Sequence, residues 1–239
     1  MHNPAGLFVT FLKEALEKNG VKVSSKVRTM NWIDRKTAPL DFSKLTELGF
    51  VESPPLRDIL REIQKPSQNL YTDMLLSHVA EQLRPTDDQK TVSEDLGIRE
   101  LNKFLAGVGI EKGETIFEEG SGLSRNNLTT PNATVKLLTF MTKHKWADVY
   151  RDALPIAGVD GTLRNRMKNT AAAGNVRAKT GTLRWANSIS GFVTTASGEH
   201  LVFSVMLNRY NNTDEHRPSR LELDDIAVML ANFSGRSDE

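Results

Sequence analysis

A chain of 239 residues, 38% hydrophobic and 26% charged, can bury a core as one large domain or one domain with a small attachment. Lys and Arg number 31 against 30 Asp and Glu, so the net charge of +1 recommends neither a nucleic-acid partner nor disorder. The complete lack of cysteine excludes disulfides, thiolate nucleophiles and Cys-based metal or iron–sulfur sites, while leaving the compartment open.

Residues 4 to 19 read as a helix, with Leu7, Phe8, Phe11, Leu12, Ala15 and Leu16 on one face and Asn19-Gly20 closing it. Val21 to Met30 alternates in polarity and predicts a strand. Residues 34 to 50 carry no period and read as a connecting excursion. Ser53-Pro54-Pro55 marks a boundary and opens a helix with Leu56, Ile59, Leu60 and Ile63 on one face. A second helix follows Pro66, with Leu70, Met74, Leu75, Val79 and Leu83 as its apolar stripe, and Pro85 to Gln89 is a polar loop. A further helix covers 93 to 106, and Thr130-Pro131 supplies a cap and first-turn pair for a helix running to about Lys143.

Ile189–Thr195 and Leu201–Leu207 are apolar, β-rich runs joined through Ser197-Gly198, a hairpin signal. Ser219 and Glu222 have capping-box spacing before a last helix that buries Leu223, Ile226, Ala227, Leu230 and Phe233. The tail from Ser234 is solvated. Helices first, then an antiparallel hairpin and a closing helix, give an α+β class. No stretch is long and apolar enough to span a membrane, and Met1-His2-Asn3-Pro4 does not open a signal peptide.

Several motifs fail. Ala178-Lys179-Thr180 lacks the upstream glycine of a phosphate loop, Gly107, Gly109 and Gly113 miss the dinucleotide fingerprint, and no serine has glycine two residues to each side. His2, His78, His144, His200 and His216 form no pair at metal-ligand spacing and read as surface or helix-face residues, so no metal or cofactor is expected.

Three stretches remain. Ser67-Gln68-Asn69 stands at a helix start, where a serine is also the commonest cap. Gly120-Ser121-Gly122-Leu123-Ser124-Arg125-Asn126 makes a tight loop with exposed hydroxyls and a guanidinium, or is simply a turn. Lys179-Thr180-Gly181 lies at a strand start. A lysine with adjacent hydroxyls is a carboxylate receptor, and Gly181 permits close approach to the strand.

Ser-x-Asn followed by Lys-Thr-Gly resembles the serine penicillin-recognising enzymes. Ser53-Pro-Pro-Leu56, Lys65-Pro-Ser-Gln-Asn-Leu-Tyr71, Gly120-Ser-Gly-Leu-Ser-Arg125, Leu154-Pro-Ile-Ala-Gly-Val-Asp-Gly-Thr-Leu163 and Ala178-Lys-Thr-Gly-Thr-Leu183 narrow the resemblance. Together they resemble the D-alanyl-D-alanine carboxypeptidase/endopeptidase family, the low-molecular-mass class C penicillin-binding proteins, from about Asn3 to about residue 232. One departure matters: no lysine in the chain has serine three residues before it, so the family's Ser-x-x-Lys nucleophile motif is absent. Thr10-x-x-Lys13 and Thr142-x-x-Lys145 match only with threonine. The chain is therefore expected to be the C-terminal part of such an enzyme, or a truncated inactive copy. Residues 1–50 would be the end of the family's inserted domain and 51–239 most of the transpeptidase domain.

The resemblance implies a β-lactamase/transpeptidase-like fold, an antiparallel sheet flanked by helices and here incomplete, and acyl transfer through a serine ester on peptidoglycan stem peptides ending in D-Ala-D-Ala. It makes β-lactams inhibitors of the complete enzyme and places that enzyme in the periplasm or cell envelope, with any export signal outside this chain. It also implies the roles of the residues. Ser67 relays a proton to the leaving amine, and Asn69 hydrogen-bonds the substrate amide. Lys179, with Thr180 and Thr182, holds the terminal carboxylate, and the Thr182 N–H is an oxyanion donor. Arg125 meets a stem carboxylate; Arg184 lies on the same rim or is an exposed strand arginine. Asp160-Gly161-Thr162 reads as a structural turn. A β-lactamase or esterase of the same fold and a non-catalytic peptidoglycan-binding protein are the alternatives. With the nucleophile half absent, the faces of Ile189–Thr195 and Leu201–Leu207 are expected to be partly uncovered.

Overall fold

A computed structural model of the chain describes residues 3–47, 49–88, 90–210 and 218–236. His2, His216 and the end of the tail therefore lie outside the described residues. Two compact units meet at Ser53 and Pro54, where the double proline stands.

The first unit, Met1–Ser53, opens with α1 (Pro4–Lys18), whose Asn3 side chain accepts the Gly6 N–H at 2.8 Å and whose proline at N1 needs no partner. No residue of α1 is buried, and Phe8 is 66% exposed. A short helix α2 (Trp32–Thr37) begins in a capping box in which Asn31 and Asp34 exchange hydrogen bonds of 2.9 and 3.0 Å. The strand expected over Val21–Met30 does not form: the segment is irregular and pairs with no described strand. Alternation specifies a face, but a strand exists only where a second strand satisfies its backbone groups.

In the second unit, α3 (Leu56–Gln64) starts directly after Pro55 and buries Ile63. The next helix, α4 (Asn69–Gln82), packs against α5 (Ser93–Gly107), and Gly97 is the close contact. A Cβ there would stand 2.8 Å from Leu76 Cγ. This contact moves the buried face of α4 away from most of the expected stripe, of which only Leu75 is half-buried. Ala80 is buried and Asp73, Leu76 and Ser77 are half-buried, while Leu70, Met74, Val79 and Leu83 of the expected stripe are exposed. Four more elements follow: a two-residue ladder of β1 (Thr115–Ile116) and β2 (Leu128–Thr129), then α6 (Pro131–Thr142) and α7 (Ala147–Ala153). Thr130 caps α6 as expected, accepting the Ala133 N–H at 3.0 Å.

The sheet runs β3 (Arg177–Leu183), β4 (Ala186–Thr194) and β5 (His200–Asn208), antiparallel, with β4 central and β3 at one edge. Gly198, at φ +84°, turns the β4–β5 hairpin. The last helix, α8 (Arg220–Asn232), covers the face bearing Ile189 and Val193, and with Leu163, Val176 and Phe203 these make the core. That face of β4 is fully covered, contrary to expectation, whereas β5 keeps several half-buried positions. On the opposite face Tyr150 of α7 meets Phe192 edge-on.

Two expectations for α8 fail. Ser219 makes no capping hydrogen bond, because its hydroxyl accepts from Asn187 Nδ2 at 3.0 Å. Phe233 lies past the helix end and is exposed, and the buried positions include Ala231 and Asp224. Asp224 takes Nε and Nη2 of Arg166 at 2.6 to 3.1 Å, fixing α8 to the chain before β3. No helix among the described residues is long and apolar enough to cross a membrane.

Candidate active site

An open cleft of about 1770 Å³ lies within the second unit, and Ser67, Asn69, Arg125, Lys179, Thr180, Gly181, Thr182 and Arg184 all line it. Three segments far apart in sequence deliver them: the α3–α4 turn, the loop before β2 and the outer strand β3.

The α3–α4 turn is tightly held. The Gln68 N–H donates to the Ile63 carbonyl at 3.0 Å, and Ser67 between them takes φ +66°, a left-handed conformation that costs a non-glycine residue about 1 kcal/mol or more. Lys65, two residues before it, provides the restraint. Lys65 Nζ donates to the Leu154 carbonyl at 2.6 Å and to both carboxylate oxygens of Asp160 at 2.9 and 2.7 Å. The Lys65 carbonyl in turn accepts the Thr162 N–H at 3.0 Å. Gly161 permits this approach, since a Cβ on it would fall 2.7 Å from the Lys65 oxygen.

Thr162 then reaches the strand, its hydroxyl 2.9 Å from that of Thr180. The Asp160-Gly161-Thr162 turn thus ties the Ser67 turn to β3, a link that turn chemistry alone did not show.

On β3, Lys179 Nζ donates to Ser67 Oγ at 2.8 Å and to the Thr180 carbonyl at 2.7 Å. Burial lowers the Lys179 pKa below the ordinary 10.5, because the ammonium has lost part of its hydration. Gly181 and Thr182 are exposed beside it. A Cβ at Gly181 would meet Ser188 Oγ at 2.7 Å, so the absent side chain makes room first for the neighbouring strand. Ala178, which sends its N–H outward to the Pro155 carbonyl at 3.0 Å, fixes the alternation on this strand. The backbone groups of Thr180 and Thr182 therefore face the open edge.

The Arg125 loop is organised by an acid that the sequence reading did not single out. Glu119 accepts the N–H groups of Ser121 (2.6 Å) and Ser124 (3.1 Å), Asn127 Nδ2 (2.5 Å) and the Ser121 hydroxyl. Burial pushes its carboxyl up, but these donors together outweigh that and hold the pKa at about 2. Asp73 of α4 accepts the Gly120 N–H at 2.9 Å and anchors the same loop. The available signal was an acidic pair, Glu118-Glu119, directly before a run of Gly, Ser and Asn with free N–H groups. Arg125 itself is exposed at the cleft.

A lysine and a serine sharing a proton-carrying hydrogen bond, an open strand edge and a guanidinium are together suited chemically to a peptide with an anionic end.

Comparison with known proteins agrees with this chemistry. The model of the D-Ala-D-Ala carboxypeptidase 3 (S13) family matches residues 1–230. A D-alanyl-D-alanine carboxypeptidase of Actinomadura sp. is 34% identical over 238 residues, covering 97% of this chain and 41% of the relative. Penicillin binding protein 4 of Haemophilus influenzae, solved in complex with a β-lactam, superimposes with a TM-score of 0.73 at 28% identity, over 94% of this chain and 51% of that one. A class A β-lactamase representative from Bacteroides cellulosilyticus shares the fold at a TM-score of 0.51 and 20% identity, over 92% of this chain and 75% of that one. The expected α+β, β-lactamase-like fold is borne out. The chain spans about half or less of the length of the curated relative and of the Haemophilus protein.

Proposed function

Since the chain belongs to the D-Ala-D-Ala carboxypeptidase 3 (S13) family, we propose that its cleft is the substrate site of a serine-type D-Ala-D-Ala carboxypeptidase/endopeptidase. The substrate would be a peptidoglycan stem peptide, the compartment the cell envelope, and β-lactams the inhibitors. The observation that carries this reading is the 2.8 Å bond between Lys179 and Ser67, made across 112 residues of sequence.

The substrate's terminal carboxylate meets the Lys179 ammonium and the hydroxyls of Thr180 and Thr182. Asn69 bonds a substrate amide, and Arg125 takes a side-chain carboxylate by its planar fork. The Thr182 N–H, on the open edge of β3, donates to the oxyanion. When the acyl C–N bond breaks, the Ser67 hydroxyl gives its proton to the departing nitrogen, and the adjacent ammonium stabilises the charge that develops on Ser67 Oγ. The attacking serine is in no Ser-x-x-Lys of these 239 residues; in this proposal it comes from polypeptide outside them. Residues 1–50 would then be the end of the family's insert and 51–239 its transpeptidase part.

The test joins this chain to a family N-terminal half bearing Ser-x-x-Lys and measures acylation by benzylpenicillin. Lys179→Ala removes a charge-assisted bond of about 1.5–3 kcal/mol, so acylation should slow roughly tenfold to several hundredfold. Lys179→Arg should rescue only partly, because a planar guanidinium does not replace a compact ammonium. The 239-residue chain alone should show no adduct by intact mass. Acylation of Lys179→Ala at the parent rate would overturn the assignment.

A further inference from the structure

We propose that the pocket past the C-terminal end of β3, lined by Arg184, Trp185, Asn187, Tyr210, Ser219 and Arg220, is a second anion subsite. It would take an acidic group of the bound peptide about five residues before its terminal carboxylate. The inference deepens the reading above and rests on it.

The pocket holds about 490 Å³, and among the described residues no acidic side chain lines it. Neither arginine forms an ion pair with a carboxylate among the described residues. The polar groups are arranged as donors. Asn187 is 7% exposed, and its Nδ2 donates to Tyr210 Oη at 2.6 Å and to Ser219 Oγ at 3.0 Å. Because both hydroxyls accept from the same buried amide, each keeps its own proton to donate outward. The Arg184 guanidinium lies 5.4 Å from the Trp185 ring centroid, and Trp185 meets Tyr210 edge-on at 6.5 Å. The aromatic pair orients the planar fork, which suits a carboxylate bound through two parallel N–H groups.

The position of the pocket gives the length of the ligand. β3 is an edge strand, and among the described residues Ile156 and Pro155 occupy only its first residues. A peptide added to the remaining edge with its carboxylate on Lys179 must run antiparallel to β3, so its upstream residues travel toward Arg184. Lys179 and Arg184 are five positions apart, roughly 16 Å of extended chain at about 3.3 Å per residue. Two cationic receptors at that separation select a peptide with two anionic groups at that separation.

Calorimetric titration of the full 239-residue chain tests this. The probe is an N-acetylated hexapeptide of alanines ending in D-Ala-D-Ala, with glutamate fifth from the C-terminus. The controls carry glutamine there, glutamate third from the end, or a C-terminal amide. The glutamate peptide should bind about tenfold tighter than the glutamine peptide. Arg184→Gln and Arg220→Gln should each erase that difference without changing the thermal melt. Equal affinity for the glutamate and glutamine peptides, or for glutamate at the third position, overturns the subsite; if the carboxylate is still preferred over the amide, the Lys179 assignment survives. Equal affinity for carboxylate and amide with the glutamate preference intact removes the Lys179 assignment and leaves the subsite. No binding by any peptide at millimolar concentration overturns both.

Discussion

Lys179 and Glu119 limit the site from opposite ends of the pH scale. Lys179 carries its charge only below a pKa that burial has drawn under 10.5. Carboxylate affinity should therefore be full well below that value and fall as pH rises through it, earlier than an exposed lysine would allow. Glu119 works in the other direction. Its carboxyl titrates at about 2 in the folded chain against an ordinary 4.5. The unfolded chain thus binds more protons between those values, and stability rises with pH across that window. The contribution is complete above about 4.5 and disappears as pH falls toward 2. Followed by NMR, the Ser121 and Ser124 amide signals should titrate together near 2, and Glu119→Gln should remove that transition while broadening the signals of the Arg125 loop. Amide shifts indifferent to both acid and the substitution would show that Glu119 does not hold the loop.

Among elements, the turn from Asp160 to Leu163 does more than close a loop. Lys65 and Asp160 form an ion pair with side chains 20% and 38% exposed, and Thr162 bonds both the Lys65 carbonyl and the Thr180 hydroxyl. Asp160→Ala leaves the Lys65 ammonium with the Leu154 carbonyl alone, at an expected cost of about 1–3 kcal/mol. Thr162→Val, which keeps the shape, should cost about 1 kcal/mol. In thermal denaturation a double-mutant cycle of Lys65→Ala and Asp160→Ala should show non-additivity, since the pair acts as one unit. Strict additivity would remove the strut.

This link also marks how far the sequence could be read. Ser67 and Lys179 were legible because their motifs are short, local and chemically odd, and α6 because its own Thr130-Pro131 cap and first-turn pair defines its start. The strand over 21–30, the α4 stripe and the Ser219 cap were misread for one reason. Each pattern was locally sound, and a distant partner decided it: no pairing strand for the first, Gly97 and α5 for the second, Asn187 for the third. Glu119 escaped because an acid that organises a loop has the same sequence appearance as one facing water.

At the scale of the molecule, the two units differ in what holds them. Of the residues of Met1–Ser53 whose burial is described, none is buried, whereas the core and the cleft both lie within Pro54–Glu239. Backbone with few buried contacts opens at little cost. Limited proteolysis should cut first within residues 1–53 and leave a product whose melting temperature matches the parent. Early cleavage within β3–β5 would overturn the expected order of opening, and a product that melts several degrees lower would show that the first unit contributes to the stability of the second.

The span of the Lys65 and Ser67 contacts has a consequence for how the protein comes into being. Their partners lie 89 to 112 residues downstream. A ribosome adding residues one after another makes the α3–α4 turn long before it makes Leu154, Asp160 or Lys179. Until then the ammonium of Lys65 lacks its Asp160 partner, and only the local Gln68–Ile63 hydrogen bond holds Ser67 in its left-handed backbone. Closing loops of this length is slow relative to forming helices, though each doubling of length adds only about 0.6 kcal/mol. The cleft is therefore among the last features the growing chain acquires, and a translation product stopped before β3 would contain α1 to α7 and no site.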